Sequence, residues 1–170
     1  MNLFHEVDLA GSTATGRLFL HSMPGRYETI PEFLEQYESE EVYGMLCLTP
    51  DEEIREKSPG YLKLLSDPEF AKNVLQAPIT DYGTPSDLKT FRGFLEILVA
   101  ALNKGRNLLI HSAAGVGRTG MAAICLLMDL GLEMKEARKR VYEAHSEPET
   151  HEQWKFIKNS SARPSEEEEE

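Results

Sequence analysis

An α/β domain with a small, mostly parallel central sheet flanked by helices is predicted, and three observations predict it. Short apolar runs suited to buried strands fall at residues 16–20, 42–48, 74–79 and 107–111. Helical patterns lie between them, and everything after residue 119 reads as helix. The chain has 170 residues, 41% hydrophobic and 28% charged, which suits a single soluble domain large enough to bury a core. Early strands and a helical last third give a sheet covered by helices.

The elements follow in order. Gly16-Arg17-Leu18-Phe19-Leu20 is an early strand that ends in the turn-rich stretch Ser22-Met23-Pro24-Gly25. Residues 31–38 form a short helix, with Pro31 favourable in its first turn. A buried strand at 42–48 precedes a charged surface helix at 50–57 and a helical turn at 60–65. A strand at 74–79 leads into the loop 80–85, after which Ser86 is the expected N-cap of a long helix. In that helix Leu88, Phe91, Leu95, Leu98 and Leu102 recur at spacings of three and four, one apolar stripe facing a core. Gly105 is a natural stop. After the strand at 107–111 comes a loop of small residues, 112–118, then a strongly apolar helix at 119–130 ended by Gly131. Amphipathic helices at 133–145 and 149–158 complete a domain spanning residues 1–160, with no internal repeat. Residues 161–170 are expected to be an acidic disordered tail.

The formal net charge is -11, and the run 166–170 accounts for five of those charges, leaving about -6 on the body. An acidic body argues against broad binding to nucleic acid or anionic membrane, so any anion site must be local. No apolar run approaches the roughly 20 residues of a membrane span, and the N-terminus lacks the basic start and apolar stretch of a signal peptide. Cys47 and Cys125 each lie in an apolar stretch and read as buried free thiols. Without a disulfide framework or zinc spacing, a reducing, cytoplasmic setting fits, with no metal and no cofactor, and a monomer is expected.

The segment that carries chemistry is His111-Ser112-Ala113-Ala114-Gly115-Val116-Gly117-Arg118-Thr119-Gly120. It joins a buried strand to a helix N-terminus. Small residues let the backbone curl so that amides of residues 112–118 point inward, and their dipoles add to the positive end of the helix. The result is a cradle for a tetrahedral dianion, phosphate or sulfate. Arg118 can close it with a forked pair of charge-assisted hydrogen bonds. Gly115-Val-Gly117-Arg-Thr-Gly120 also fits G-x-G-x-x-G, but that dinucleotide motif needs a second strand and an acidic residue about 20 positions on, and the chain here is helical. A nucleotide P-loop would need a lysine that is absent. A turn used only for packing is disfavoured by an arginine expected to be exposed among small residues.

The segment resembles the signature H-C-x-x-G-x-x-R-[ST] of protein tyrosine and dual-specificity phosphatases, with Ser112 where the cysteine stands. The likeness extends over residues 17–158 and implies a small single-domain member of that superfamily. It implies that position 112 is the nucleophile's place, where a thiolate would form a phosphocysteine intermediate. A serine hydroxyl has no depressed pKa and no adjacent base in this loop. The chain as written is therefore expected to bind phosphate esters and hardly turn them over. Ser112 is either an engineered substrate-trapping replacement or the natural residue of a pseudophosphatase that serves as a phosphate-binding module.

By the same resemblance Arg118 holds equatorial oxygens, Thr119 hydrogen-bonds the nucleophile, and His111 orders the loop and tunes the nucleophile. The general acid is expected about 30 residues before the nucleophile, and Asp81 lies 31 positions before Ser112. The usual Trp-Pro ahead of it is replaced by Ile79-Thr80, and Asp87 is the rival. Gln153 is either a water-positioning glutamine or a surface helix residue. Arg26 either lines the mouth of the site or is a solvated loop residue. The substrate implied is a phosphorylated protein or a small phosphomonoester. None of the variable loop positions Ala113, Ala114, Val116 and Gly117 is basic, which argues against membrane phosphoinositides. An inositol-polyphosphate phosphatase stays open and would need rim cations, for which Arg17, Arg26, Lys89 and Arg92 are candidates.

Overall fold

The computed structural model describes residues 2–160. The acidic run expected to form a tail, residues 161–170, lies outside the described residues. The chain runs β1 (His5–Val7), β2 (Leu18–His21), α1 (Ile30–Ser39), β3 (Val42–Cys47), α2 (Asp51–Lys57), α3 (Pro59–Leu65) and α4 (Pro68–Ala71). It continues through β4 (Val74–Gln76), α5 (Leu88–Asn103), β5 (Asn107–His111), α6 (Gly117–Asp129), α7 (Met134–Glu143) and α8 (His151–Ser160).

The five strands form one sheet in the order β1-β2-β5-β3-β4. β2, β5, β3 and β4 are parallel, and only β1 runs antiparallel, on the edge beside β2. The expected α/β class with a mostly parallel sheet is therefore what the chain adopts. β5 is central, its residues Leu108 to His111 paired with Leu18 to His21 of β2 on one side. On its other side His111 lies opposite Cys47 of β3.

Alternation along the strands splits the core in two, because successive side chains point to opposite faces. Leu18, Leu20, Leu46, Leu108 and Ile110 pack with α5, α6, α7 and α8 on one face. Phe19, Met45, Cys47 and Leu109 face the other way, with Phe33 of α1, Ile54 of α2 and Tyr61 of α3. Covering both faces is the arrangement that parallel strands require. Helix α6 is buried along almost its whole length, so its apolar run reads without a polar face.

Local chemistry explains most boundaries. Thr29 and Glu32 form a reciprocal capping box at the start of α1, with Pro31 in the first turn. The long helix is capped by Asp87, not by Ser86: the Asp87 carboxylate accepts from Thr90 N–H at 3.0 Å and from the Thr90 hydroxyl at 2.7 Å. That use also explains Asp87 without any catalytic role. Phe91, Leu95, Leu98 and Leu102 are buried as the stripe requires, whereas Leu88, in the first turn, is exposed. Two elements carried no usable pattern. β1 has three residues with one buried, and α4 has four with none buried, too short for either period to register.

Candidate functional site

The loop 112–116 leaves the C-terminal end of the central strand β5 and feeds directly into α6. In an open parallel sheet this edge, where strands end and helices begin, is where ligand crevices form. Gly115 adopts φ +76, and a Cβ there would come within 2.6 Å of the His21 carbonyl oxygen and 2.9 Å of Ser22 N. Only glycine lets the loop curl this close to the end of β2. Met23 N–H donates to Ala113 O at 3.2 Å, and the buried Ser146 hydroxyl donates to Gly115 O, so the loop's carbonyls are tied outward. Among the described residues, no protein acceptor takes the amides of residues 113–118. Unshared backbone donors at a helix start suit an oxyanion.

Ser112, Ala113, Ala114, Val116, Gly117 and Arg118 line a cavity of about 200 Å³, together with Arg26, Lys57, Asp81, Tyr82 and Glu149. Ser112 is buried, and its Oγ lies 2.7 Å from Thr119 Oγ1 in the first turn of α6. His111 is wholly buried beneath them. Its Nδ1 faces Ser112 O at 3.2 Å and its Nε2 faces the Tyr61 hydroxyl at 2.7 Å. A carbonyl only accepts, so Nδ1 carries the hydrogen and Nε2 accepts from Tyr61. Burial drives the His111 pKa down to about 4 and the Tyr61 pKa well above its ordinary value, which keeps both neutral in this arrangement.

Arg118 is buried, not exposed as its small neighbours suggested. Nη1 and Nη2 fork onto the Glu53 carboxylate at 2.8 and 2.9 Å, and Nη1 also donates to Ile79 O at 2.8 Å. Asp81 Oδ1 stands 3.5 Å from Nη2. Nε–H and one Nη2 hydrogen remain for another acceptor. Glu53 in turn pairs with Lys57 at 2.9 Å, one helical turn on. The hydrogen bonds from Arg118 hold the Glu53 carboxyl down at about 2, with Lys57 assisting against the opposing effect of burial. The negative charge that anchors the arginine thus persists throughout the neutral range.

Asp81 lies in the loop after β4, half exposed at the cavity mouth, and its Oδ1 accepts from Tyr82 N–H at 3.0 Å. Arg26 lines the mouth with its guanidinium 4.8 Å over the Tyr27 ring. Gln153 is wholly buried, so it is not a surface helix residue. Of the rim candidates, Arg17 pairs with Glu6 and Glu40 at the far end of the strands and Arg92 pairs with Asp129. Lys89 is exposed at the start of α5 and does not line the cavity.

Sequence reasoning missed Glu53, Lys57, Tyr82 and Glu149. The spacing of Glu53 and Lys57 announced an ion pair along a helix, but nothing local announced that Glu53 meets Arg118. Glu149 lies so close to the start of α6 that a Cβ on Gly117 would fall 2.1 Å from its Oε1. Among the described residues no three His, Cys, Asp or Glu side chains converge as a metal site. No described helix is long and apolar enough to cross a membrane.

With this geometry in view, the family is decided by a match over residues 13–170 to the Swiss Army Knife protein DSP-PTPase phosphatase domain, PTP-SAK. The chain belongs to this family. Phosphatases of the DSP-PTPase type take phosphorylated substrates. A tyrosine phosphatase-like protein of Invertebrate iridescent virus 3, 067L, is 34% identical over 83 residues, covering 46% of this chain and 35% of that protein. The matched part is thus about a third of the viral protein's length. Among solved structures, kinase associated phosphatase carrying serine for its catalytic cysteine aligns with TM-score 0.76 at 22% identity, over 94% of this chain and 96% of that one. Tk-PTP in its active form aligns with TM-score 0.69 at 24% identity, over 94% and 97%. The human tyrosine phosphatase-like serine/threonine/tyrosine-interacting protein aligns with TM-score 0.68 at 18% identity, over 92% and 95%. These structural likenesses establish the fold of the DSP-PTPase family for this chain.

Proposed function

We propose that this chain is the phosphomonoester-binding form of a protein tyrosine or dual-specificity phosphatase, inactive because Ser112 stands in the nucleophile's place. The observation that carries the reading is that the amides of residues 113–118 have no protein acceptor among the described residues, on a loop that lines one cavity with Ser112 and the buried Arg118. With cysteine at 112, a thiolate stabilised by those dipoles attacks phosphorus. The P–O bond to the leaving group breaks, and Asp81 delivers a proton to the departing oxygen. Water then attacks the phosphocysteine and gives a proton back to the Asp81 carboxylate as the S–P bond breaks, releasing phosphate and restoring the thiolate. Thr119, 2.7 Å from the side-chain oxygen at 112, supplies a hydrogen bond to that atom. Arg118 offers Nε–H and Nη2–H to two phosphoryl oxygens while Glu53 holds its far side.

Serine cannot follow this course. Its hydroxyl does not ionise in the cradle, and the nearby His111 is spent on Ser112 O and Tyr61. Loss of the thiolate's charge favours a bound dianion, the behaviour of a substrate trap. Intact Arg118, Thr119 and Asp81 around the serine support replacement of a cysteine. A serine codon at 112 in the natural gene would instead support a phosphate-reading module.

Arg26 and Lys57 at the cavity mouth keep an inositol polyphosphate in view as an alternative substrate. With Arg17 and Arg92 elsewhere and Lys57 committed to Glu53, the rim is sparsely basic, which favours a phosphopeptide. The test is direct. Tungstate should bind the chain as it stands, by calorimetry. Ser112→Cys should raise hydrolysis of a phosphotyrosine peptide by roughly 10³-fold or more, and do so better than for inositol hexakisphosphate. A Ser112→Cys variant without phosphatase activity would sink the enzyme reading.

A further inference from the structure

Gln153 is spent on the protein and has little left for water. It lies in the first turn of α8, wholly buried, and does not line the cavity. Its Oε1 accepts from Glu149 N–H at 2.7 Å, and its Nε2 donates to Gly83 O at 3.1 Å. Thr150 adds a second tie. Its hydroxyl accepts from Gln153 N–H at 3.1 Å and donates to Tyr82 O at 3.3 Å. Two consecutive carbonyls of the loop that carries Asp81 are therefore held by the start of α8.

That loop needs holding. Gly83 N–H donates to Thr80 O at 2.7 Å, closing residues 80–83 into a tight turn. A Cβ on Gly83 would lie 2.8 Å from the same oxygen. Tyr82 sits at φ +64, the left-handed region that bulky side chains disfavour by about 1 kcal/mol or more. Asp81 and Tyr82 are exposed, so the turn has little packing of its own to offset this strain.

We propose that Gln153, supported by Thr150, is a positioning residue that fixes the Asp81 carboxylate at the cavity mouth by clasping the loop backbone. This rests on the reading of Asp81 as the proton donor. The clasp bridges two segments of the site at once, since the same side chain pins the backbone of Glu149 against the loop–α6 junction.

Leaving-group chemistry separates this role from the alternatives. Proton donation matters most when the departing oxygen is basic, and its effect depends on placement of the acid. In the Ser112→Cys background, Gln153→Met keeps the volume and removes both hydrogen bonds. It should lower kcat/KM for phenyl phosphate by about 10-fold or more. For 4-nitrophenyl phosphate, whose leaving group departs readily as an anion, the loss should stay under about 3-fold. Asp81→Asn should show the same slant, more steeply. Gln153→Glu, which keeps the bond to Glu149 N–H but loses the donor to Gly83, should resemble Gln153→Met. A fall in kcat with kcat/KM unchanged and phosphoenzyme accumulating would assign Gln153 to water and overturn the proposal. Equal losses of kcat/KM on both substrates would mark general damage and overturn it as well. If Asp81→Asn itself shows no slant, the acid assignment fails, a separate result.

A second measurement needs no catalysis. In the chain with Ser112, Gln153→Met should speed hydrogen exchange at the Gly83 amide by about 10-fold or more, leaving the β5 amides protected. Unchanged exchange at Gly83 would overturn the clasp whatever the activity.

Discussion

Arg17 and Arg118 stand at opposite ends of the parallel strands. Each forks onto a glutamate: Arg17 reaches Glu6 through Nε and Nη2 at 3.2 and 2.6 Å, and Arg118 reaches Glu53 through its two terminal nitrogens at 2.8 and 2.9 Å. Each has a further oxygen partner, Glu40 for Arg17 and Ile79 O for Arg118. The side chains differ in exposure, 46% for Arg17 against 2% for Arg118. Solvent, not bonding geometry, separates their roles. An exposed ion pair is worth about 0–1 kcal/mol after screening and side-chain entropy. A buried guanidinium gives up several kcal/mol of hydration, which its partners must offset, so it is costly to orphan and adds little net stability. That is a poor device for holding a fold together and a suitable one for presenting a fixed charge to an entering anion.

The comparison can be broken most sharply at the buried end. Arg118→Met should lower tungstate affinity by about 100-fold or more, since two charge-assisted hydrogen bonds are lost. The same change leaves the partly buried Glu53 with Lys57 alone and should cost roughly 1–3 kcal/mol in urea unfolding. Tungstate binding within about 3-fold of the unaltered chain would place the anion elsewhere.

Acid titration sharpens the contrast next. The His111 pKa is about 4 in the fold against 6.5 for the free side chain, and that of Glu53 is about 2 against 4.5. Both are depressed, so in each case the unfolded chain takes up the proton first as pH falls. The His111 contribution is fully present above 6.5 and lost progressively toward 4; that of Glu53 is present above 4.5 and lost toward 2. Unfolding free energy measured from pH 7 to 2 should decline in these two windows. Glu53→Gln should flatten the lower one while costing roughly 1–3 kcal/mol at pH 7, because Arg118 then keeps only one of its two hydrogen bonds to residue 53, its other terminal nitrogen faces an amide N–H, and the charged partner is lost.

The smallest effect belongs to the exposed end. Arg17→Ala should change stability by no more than about 1 kcal/mol, part of it lost packing over the Phe19 ring, and should leave tungstate binding unchanged. A larger loss would show that exposure does not divide the two arginines.

Much of the site was legible because its core is local. His111, Ser112, Arg118 and Thr119 lie within nine positions, and a buried strand entering a helix through small residues leaves the loop few ways to run. Asp81, expected from its distance from Ser112, lies at the cavity mouth, 3.5 Å from Arg118. The cap at Asp87 was misread as Ser86 because Ser and Asp are near-equal caps, and only the bond to Thr90 distinguishes them. Arg118 was judged exposed because sequence shows a residue's neighbours in the chain, not those in space.

By itself, then, the sequence determined the strand–loop–helix unit at 107–130, the helix-covered sheet, and the residue types of the loop that lines the cavity at their junction. These follow from periodicities and turn chemistry that act over a few residues. Only the tertiary structure decided that Glu53 anchors Arg118 across 65 positions and that Gln153 clasps Gly83 across 70. Parallel strands can pair only through crossovers, so the segments meeting at their C-terminal edge come from distant parts of the chain. Burial at that meeting point then sets which charges persist.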